Sequence, residues 1–160
     1  MTTFPASAQR FADAARELGL DIEVREFPEG TRTAEDAARA IGCDVAQIVK
    51  SLVFLADADP IICLTSGVNR VDTARLAATP NAVDISRADA EAVRAATGFA
   101  VGGVPPFGHA TPVRLYCDRD LLSHEIVWAA AGTPTAVFAV SPARLIEATK
   151  AHAIDLKEEA

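Results

Sequence analysis

The sequence is poor in cysteine, in aromatic side chains and in positive charge, and each shortage argues against a class of protein. Its three cysteines, Cys43, Cys63 and Cys117, form no CxxC pair. This argues against a structural zinc site and favours reduced, mostly buried thiols. Lysine and arginine total 15 against 22 acidic residues, so the formal net charge is −7. Because non-specific nucleic-acid binding needs a basic surface, any contact of that kind must be local.

Long apolar runs are absent as well. No run approaches the length of a membrane-spanning helix, and the N-terminus lacks the basic start and apolar stretch of a secretory signal. We therefore expect a cytoplasmic protein without membrane contact. With 160 residues, half of them hydrophobic, the sequence predicts one globular domain over residues 1–160. Aromatic residues make up only 6%, so its core should consist mainly of alanine, valine, leucine and isoleucine.

Helix-capping signals alternate along the chain with short apolar strand patterns, and several strands are joined by tight turns. This pattern predicts an α+β fold, a mixed α/β arrangement with a largely antiparallel sheet flanked by helices. We expect a turn at residues 28–30 and fraying at residues 157–160. Helices are predicted after caps at Ser7, Thr33, Asp72, Ser86 and Ser141, with one short turn at residues 44–47. Strands are predicted at residues 21–27, 50–55, 61–66, 83–85, 112–117, 125–131, 135–140 and 153–156.

The most unusual stretch is the loop at residues 98–108, GFAVGGVPPFG, which we predict to follow a strand. Glycine permits special backbone conformations and proline stiffens the chain, so the loop should have one fixed shape. A dinucleotide-binding loop is excluded, because Pro105 and Pro106 lack amide donors and no helix pattern follows. The loop is either a rigid turn that closes the core or, with Val104 and an exposed Phe107, the wall of a pocket.

Lys50 begins the strongest strand pattern and shares a strand face with Leu52 and Phe54. Two interpretations stay open at this point. The residue pattern alone favours a lysine that extends into solvent at the strand entrance. The alternative places its ammonium group at a pocket rim, where it binds a phosphate or a polarised carbonyl. The sequence has no GxSxG motif, no paired carboxylates and no metal-ligand histidine spacing, although His109 adjoins the loop at residues 98–108.

Together these segments resemble the YbaK/EbsC family. That family includes the editing domain inserted in bacterial prolyl-tRNA synthetases and free-standing relatives that act in trans. The resemblance covers residues 33–156, and its most specific features are Lys50, the GGVPPFG sequence and the GTP turn in that order. The segments that carry it are residues 33–38, 47–54, 69–72, 76–77, 97–99, 101–108 and 131–134.

The resemblance implies a curved central sheet and a hydrolase that cleaves the ester between a wrong amino acid and a tRNA, without a cofactor or metal. It implies that Lys50 is the catalytic residue, which replaces the solvent interpretation given above. In place of a general base, it implies that the substrate's ribose hydroxyl and backbone groups position the water and the ester. It also implies an aminoacyl-binding pocket bordered by Ser51, Gly102, Gly103, Val104, Pro105, Pro106, Phe107, Gly108, Gly132, Thr133 and Pro134.

The expected partner is a mischarged aminoacyl-tRNA, with an aminoacyl-tRNA synthetase as a second candidate partner. Local tRNA contacts are expected from Lys50, Arg70, Arg75 and Arg114. The proline-rich loop indicates a compact pocket, so the preferred amino acid should have a small side chain. Two other functions stay open: a non-catalytic module that binds tRNA or a nucleotide, and a general hydrolase of small esters.

Overall fold

The computed structural model describes residues 6–28 and 33–158 of the chain, and within these ranges it is a mixed α+β structure, as predicted. Part of the predicted turn at residues 28–30 and the last two residues of the predicted frayed end lie outside the described residues. The helices are α1 (Ala6–Glu17), α2 (Ala34–Ile41), α3 (Thr73–Ala78), α4 (Ala90–Thr97) and α5 (Pro142–Thr149). The strands are β1 (Val24–Glu26), β2 (Val49–Ala56), β3 (Asp59–Ser66), β4 (Ile85–Arg87), β5 (Arg114–Asp118), β6 (Val127–Ala130), β7 (Ala136–Val140) and β8 (His152–Ile154).

The strands are divided between two sheets. The larger sheet has the order β4-β2-β3-β5-β8, in which β2 is antiparallel to both neighbours while β5 is parallel to β3 and β8. The smaller sheet, β1-β7-β6, is antiparallel throughout. A parallel bridge between Ile48 and Trp128 joins the two sheets just before β2 begins. The predicted antiparallel majority is confirmed, and this bridge brings the start of β2 against the smaller sheet.

The core explains why the middle of β3 is continuously apolar. Ile62 and Leu64 belong to the larger apolar cluster, which includes residues of both sheets, whereas Ile61 and Cys63 pack in a second cluster with α3. Because alternate residues of a strand point to opposite faces, both faces of β3 are covered. Burial raises the pKa of the Cys63 thiol to about 12 and does the same for Cys117. These two thiols are therefore buried and protonated, as predicted, while Cys43 is partly exposed.

Local signals place several elements as the sequence predicts. Thr33 caps α2, since its hydroxyl accepts a hydrogen bond from the Asp36 amide at 3.0 Å. Asp72 caps α3 in the same way. The β2–β3 hairpin turns within Asp57 and Ala58 alone, with φ of 48° and 75°. This turn is tighter than predicted, because the following Asp and Pro already belong to β3.

Two predicted helix caps are wrong. Ser7 lies inside α1, and Ser86 lies in β4. The cap of α4 is Asp89, whose carboxylate accepts from the Ala92 amide at 2.8 Å. The pairing of Ser86 with Leu55 of β2 extends the larger sheet by one short strand. Tertiary strand pairing therefore overrides the local capping signal at this position.

The C-terminal segment is held more firmly than expected. Residue 157 forms an isolated antiparallel bridge with Val71, and the Glu158 amide donates to the Arg70 carbonyl at 2.8 Å. The fraying predicted from residue 157 onward is therefore wrong for residues 157 and 158. None of the helices in the described part of the chain is long and apolar enough to cross a membrane.

Candidate active site

A cavity of about 770 Å³ opens beside the first half of β2. It is enclosed by α2, by the loops at residues 67–70 and 101–104, and by β6 of the smaller sheet. One side is apolar and the other carries charge, an arrangement typical of small-molecule sites. The apolar side chains that line it include Val49, Val53, Ala88, Val93, Val104, Ala129 and Val137. The polar and charged residues that line it include Glu35, Lys50, Ser51, Asn69, Arg70 and Arg87.

Lys50 is a partly buried residue of β2 whose ammonium group is held in place. It pairs with Thr65 in the β2–β3 register. Its Nζ donates a hydrogen bond to the backbone carbonyl oxygen of Asn69 at 2.8 Å. The side chain therefore lies at the cavity and does not extend freely into solvent, which excludes the interpretation that residue pattern alone favoured.

The electrostatic surroundings of Lys50 are mixed. Burial lowers the pKa of the Lys50 ammonium below its ordinary value, and this is the largest influence. Glu35 opposes the shift, Arg70 and Arg87 add to it, and Asp118 opposes it. The site thus gathers three positive side chains around one opening, although the protein as a whole is acidic.

Asn69 is itself fixed by two carboxylates. Its side-chain amide donates to Asp118 at 2.7 Å and to Asp120 at 2.9 Å. Asp118, at the end of β5, is 1% exposed and also accepts from the Ser66 amide at 3.1 Å. Lys157 pairs with Asp120 at 2.9 Å. The hydrogen bonds from Lys157 and from Asn69 lower the pKa of Asp120. The loop that carries the partner of Lys50 is therefore anchored to the centre of the larger sheet.

Ser51 projects from the opposite face of β2, on the side of Val49 and Val53. Its hydroxyl oxygen is buried, and among the described residues it has no hydrogen-bond partner. Leaving a buried hydroxyl unpaired costs on the order of 1–3 kcal/mol. This cost is unexplained by packing alone and occurs at a residue that lines the cavity.

The backbone of Ser51 also faces the cavity edge of β2. The Gly67 amide donates to the Ile48 carbonyl at 2.8 Å, on the β3 side of the strand. The Ala88 amide donates to the Val53 carbonyl at 3.1 Å, on the other side. Since backbone groups alternate sides in an antiparallel strand, the amide and carbonyl of Ser51 point away from β3. They can therefore orient a polar group bound in the cavity.

The loop at residues 98–108 differs from its prediction at its start. No strand precedes it: Gly98 ends α4 with φ of 80°, and the buried Phe99 follows directly. Gly102 and Val104 line the cavity, together with Val101. Helix α4 therefore leads straight into the cavity wall.

The second half of this loop belongs to the core. Phe107 is not exposed as predicted: it is 5% exposed, and its ring stacks on Phe11 with 5.1 Å between the centroids. It also contacts Phe138 of β7 edge-on. Pro105 and Pro106 are buried as well. Pro105, Pro106, Phe107 and Gly108 do not line the cavity beside Lys50. The three buried residues support its wall from behind, whereas Gly108 is exposed.

The loop at residues 132–134 supports the same wall. Its turn begins at Gly132, which has φ of 97°. A Cβ added to Gly103 would lie 2.9 Å from the Cα of Thr133, and one added to Gly102 would lie 3.9 Å from the Cβ of Pro134. The two predicted loops are thus in contact, but none of residues 132–134, nor Gly103, lines the cavity.

His109 and two of the predicted basic contacts lie away from the cavity beside Lys50. The His109 ring is 2.8 Å from the Pro105 carbonyl, burial lowers its pKa, and it lines a separate depression. Arg75 forms ion pairs with aspartates near α3. Arg114 begins β5 and is absent from the cavity lining. Of the predicted basic residues, the structure brings together Lys50 and Arg70.

Sequence reasoning missed Glu35, Arg87 and the carboxylates behind Asn69. Glu35 follows the predicted cap Thr33 and Arg87 follows the predicted cap Ser86, so both lie in patterns that indicate a helix start. The only available signal for Asn69 was its place in the NRVD segment that resembles the family. Asp118 and Asp120 are brought to this loop by the parallel pairing of β3 with β5, which local patterns do not encode.

The cavity thus combines apolar side chains with a hydrogen-bonded lysine and two arginines, a lining that suits a small organic group attached to an anion. Residues 28–148 match the aminoacyl-tRNA editing domain, and the chain belongs to that family. This confirms the resemblance carried by Lys50 and the two glycine-containing loops.

Three relatives are similar to most of the chain. The structure is similar to the crystal structure of a proposed trans-editing enzyme for prolyl tRNA synthetase, with a TM-score of 0.93 and 44% identity over 98% of this chain and 100% of the other. It is similar to the crystal structure of the hypothetical protein APE2540, with a TM-score of 0.86 and 29% identity over 93% of this chain and 99% of the other. The uncharacterized protein YwhH of Bacillus subtilis (strain 168) is 30% identical over 126 residues, which are 78% of this chain and 80% of that protein.

Proposed function

We propose that this protein is a cytoplasmic aminoacyl-tRNA deacylase that acts in trans and removes small, wrongly attached amino acids from tRNA of the prolyl type. The observation that carries the proposal is the Lys50 ammonium, fixed 2.8 Å from the Asn69 carbonyl at the edge of the cavity. Membership of the editing-domain family and similarity to a proposed trans-editing enzyme support the same reaction.

The charges around the opening fit the end of a tRNA. The substrate presents an ester on its terminal ribose. The phosphate of the same nucleotide is attached to that ribose, a few bonds from the ester. Lys50, Arg70 and Arg87 place three cations at one opening of an otherwise acidic protein. Lys50 then either binds the terminal phosphate or stabilises the negative charge that develops on the ester carbonyl oxygen.

The apolar side of the cavity fits the amino acid. Valine and alanine side chains from β2, α4, β6 and β7 form it, together with Gly102 and Val104 of the stiff loop. Because the buried prolines and Phe107 support this loop from behind, its position cannot change easily. A fixed apolar wall accepts a small side chain and disfavours a large one, with modest discrimination per methylene.

In the reaction, a water oxygen bonds to the ester carbonyl carbon and the bond between that carbon and the ribose oxygen breaks. The ribose oxygen leaves as a hydroxyl, since it takes up the proton that the attacking water gives up. Among the described residues that line the cavity, Glu35 is the only carboxylate, and it is exposed near the rim. We therefore assign the positioning of water to the substrate's neighbouring ribose hydroxyl and to the backbone groups of Ser51.

The experiment uses tRNA of the prolyl type that is mischarged with alanine, serine, threonine or cysteine. The same tRNA charged with proline is the correctly charged reference. The amount of intact ester is followed over time with wild-type protein and with Lys50→Ala. Lys150→Ala is the matched control, since Lys150 is an exposed lysine at the end of α5. We expect hydrolysis of at least one mischarged tRNA by wild type and by Lys150→Ala, and its loss in Lys50→Ala.

Two outcomes favour the other functions. Tight binding of charged tRNA without hydrolysis by wild type identifies a non-catalytic binding module. Equal rates on aminoacyl-tRNA and on simple aminoacyl esters without tRNA identify a general hydrolase of small esters. Repeating the assay with a synthetase added tests whether that enzyme is a partner, which a faster rate would support.

A further inference from the structure

We propose that Asp118 and Asp120, acting through the side chain of Asn69, position the Lys50 ammonium for the deacylation reaction. The inference rests on the proposed function and adds three positioning residues to it. None of the three needs to touch the substrate, because their effect passes through the Asn69 carbonyl.

The chain of contacts is continuous. The Lys50 Nζ donates to the Asn69 carbonyl at 2.8 Å. The Asn69 Nδ2 carries two hydrogens, and its two acceptors are Asp118 Oδ2 at 2.7 Å and Asp120 Oδ2 at 2.9 Å. A backbone carbonyl in a loop is fixed only as well as the loop that carries it. Here both hydrogens of the Asn69 side-chain amide bind carboxylates, and these carboxylates belong to the end of β5 and the residues that follow it.

Asp118 is a rigid anchor for this loop. It is 1% exposed, and it also accepts from the Ser66 amide at 3.1 Å and from the Asp120 amide at 3.0 Å. A carboxylate with this many donors has little freedom to rotate. Lys157 holds Asp120 from the C-terminal segment at 2.9 Å. The position of the ammonium is thus set by residues of β5 and of the chain end.

Burying a carboxylate costs the free energy of removing its charge from water, and apolar residues of similar volume often stabilise a fold equally well. This carboxylate has a second consequence, since its charge favours the protonated form of Lys50. The other charged groups that face Lys50 are Glu35, Arg70 and Arg87. An anchor that is both rigid and negative fits a lysine that must stay charged and in place.

The test uses a graded pair of variants in the full chain. Asp120→Ala removes one acceptor of the Asn69 amide at a partly exposed site, and Asn69→Ala removes both bonds but keeps the backbone carbonyl. Ser141→Ala is the control, because it removes a helix-capping hydroxyl at α5, away from the cavity. Thermal unfolding confirms that each variant is folded before kcat and KM are measured on the mischarged tRNA that wild type hydrolyses.

We expect Asn69→Ala to lower kcat by about 10²-fold, the size of effect that a misplacement of about 1 Å can have. Asp120→Ala should fall between it and wild type, and Ser141→Ala should equal wild type. In a Lys50→Ala background, Asn69→Ala should have no further effect, because both changes remove the same interaction. Additive losses, or wild-type kcat in Asn69→Ala, overturn the inference and leave the proposed function intact.

A second measurement does not depend on activity. The pKa of the Lys50 ammonium is followed by NMR of its side chain, with the signal assigned through Lys50→Arg. In Asn69→Ala the released ammonium should move into water, so that its pKa rises toward that of an ordinary lysine. An unchanged pKa overturns the inference. If wild type hydrolyses no tRNA, the proposed function fails, and this measurement still decides whether Asn69 positions Lys50.

Discussion

The backbone of Thr133 lies directly against Gly103, where an added Cβ would come within 2.9 Å of the Thr133 Cα. The only residue type that fits without moving one of the two loops is therefore glycine. We predict that Gly103→Ala lowers the free energy of unfolding by about 1–3 kcal/mol, as overpacking typically does. It should also slow deacylation, because the neighbouring Gly102 and Val104 line the cavity.

The measurement is denaturant unfolding together with the deacylation rate. Gly42→Ala serves as the comparison, since Gly42 has a positive φ but no atom within 4 Å of an added Cβ. It should lose stability through backbone strain and keep its deacylation rate. If Gly103→Ala is as stable and as active as wild type, the contact between the two loops does not shape the site.

The lowered pKa of Lys50 predicts how the reaction rate depends on pH. Burial lowers the pKa of its ammonium group, and the proposed chemistry needs the charged form. As pH rises through this lowered pKa, the ammonium loses its proton and the rate should fall, at a lower pH than for an ordinary lysine. The measurement is kcat against pH from neutral upward, corrected for spontaneous ester hydrolysis. Lys50→Arg stays charged over this range, so its residual activity should show no such fall.

The position of Phe107 in the core predicts that a substitution there changes the stability of the protein but not its substrate specificity. Its ring packs against both Phe11 and Phe138 and does not line the cavity beside Lys50. Phe107→Leu should therefore lower the free energy of unfolding by about 1–3 kcal/mol, the value of two lost aromatic pairs. The ratio of rates on alanine-charged and serine-charged tRNA should not change. A changed ratio at unchanged stability would place Phe107 in contact with the substrate.

Ser51 and Ser66 form a matched pair of serines. The Ser51 hydroxyl is buried and has no partner among the described residues, whereas the Ser66 hydroxyl donates to the Ala46 carbonyl at 2.8 Å. We predict that Ser51→Ala raises the free energy of unfolding by about 1 kcal/mol and that Ser66→Ala lowers it by about the same amount. Denaturant midpoints measure both changes. Loss of stability in Ser51→Ala would mean that the hydroxyl is already paired in the free protein.

Ser51 is also predicted to bind substrate. Its alanine variant should change the relative rates on alanine-charged and serine-charged tRNA, because an unpaired hydroxyl can distinguish a polar from an apolar side chain. Ser66→Ala provides the control for general loosening of the larger sheet. Identical rate ratios in all three proteins would remove Ser51 from the aminoacyl pocket.

The sequence predicted what local chemistry determines. Thr33 and Asp72 cap their helices because each has a side-chain oxygen that accepts a hydrogen bond from the backbone amide three residues later. Lys50 was identified through its neighbours in the family segments. Ser86 was predicted wrongly because strand pairing with Leu55 outweighed its capping signal. Phe107 was predicted wrongly because flanking glycines and prolines resemble an exposed loop, while its burial depends on α1 and β7.

The positioning of Lys50 was beyond local prediction for a different reason. Asn69 and Asp118 are far apart in the chain and meet only because β5 lies parallel to β3. A parallel pairing is set by the crossover connection and not by the alternation within either strand. The sequence therefore indicates which lysine to examine, and the three-dimensional structure shows what holds it.

The most direct test of the account compares Lys50→Ala with Lys150→Ala on the mischarged tRNA that wild type hydrolyses fastest. We predict that Lys50→Ala loses on the order of 10²–10³-fold in kcat, as removal of a charge-stabilising donor does. Lys150→Ala should keep the wild-type rate, and both should unfold as cooperatively as wild type. A folded Lys50→Ala that hydrolyses this tRNA at the wild-type rate would contradict the central claim that Lys50 carries the reaction.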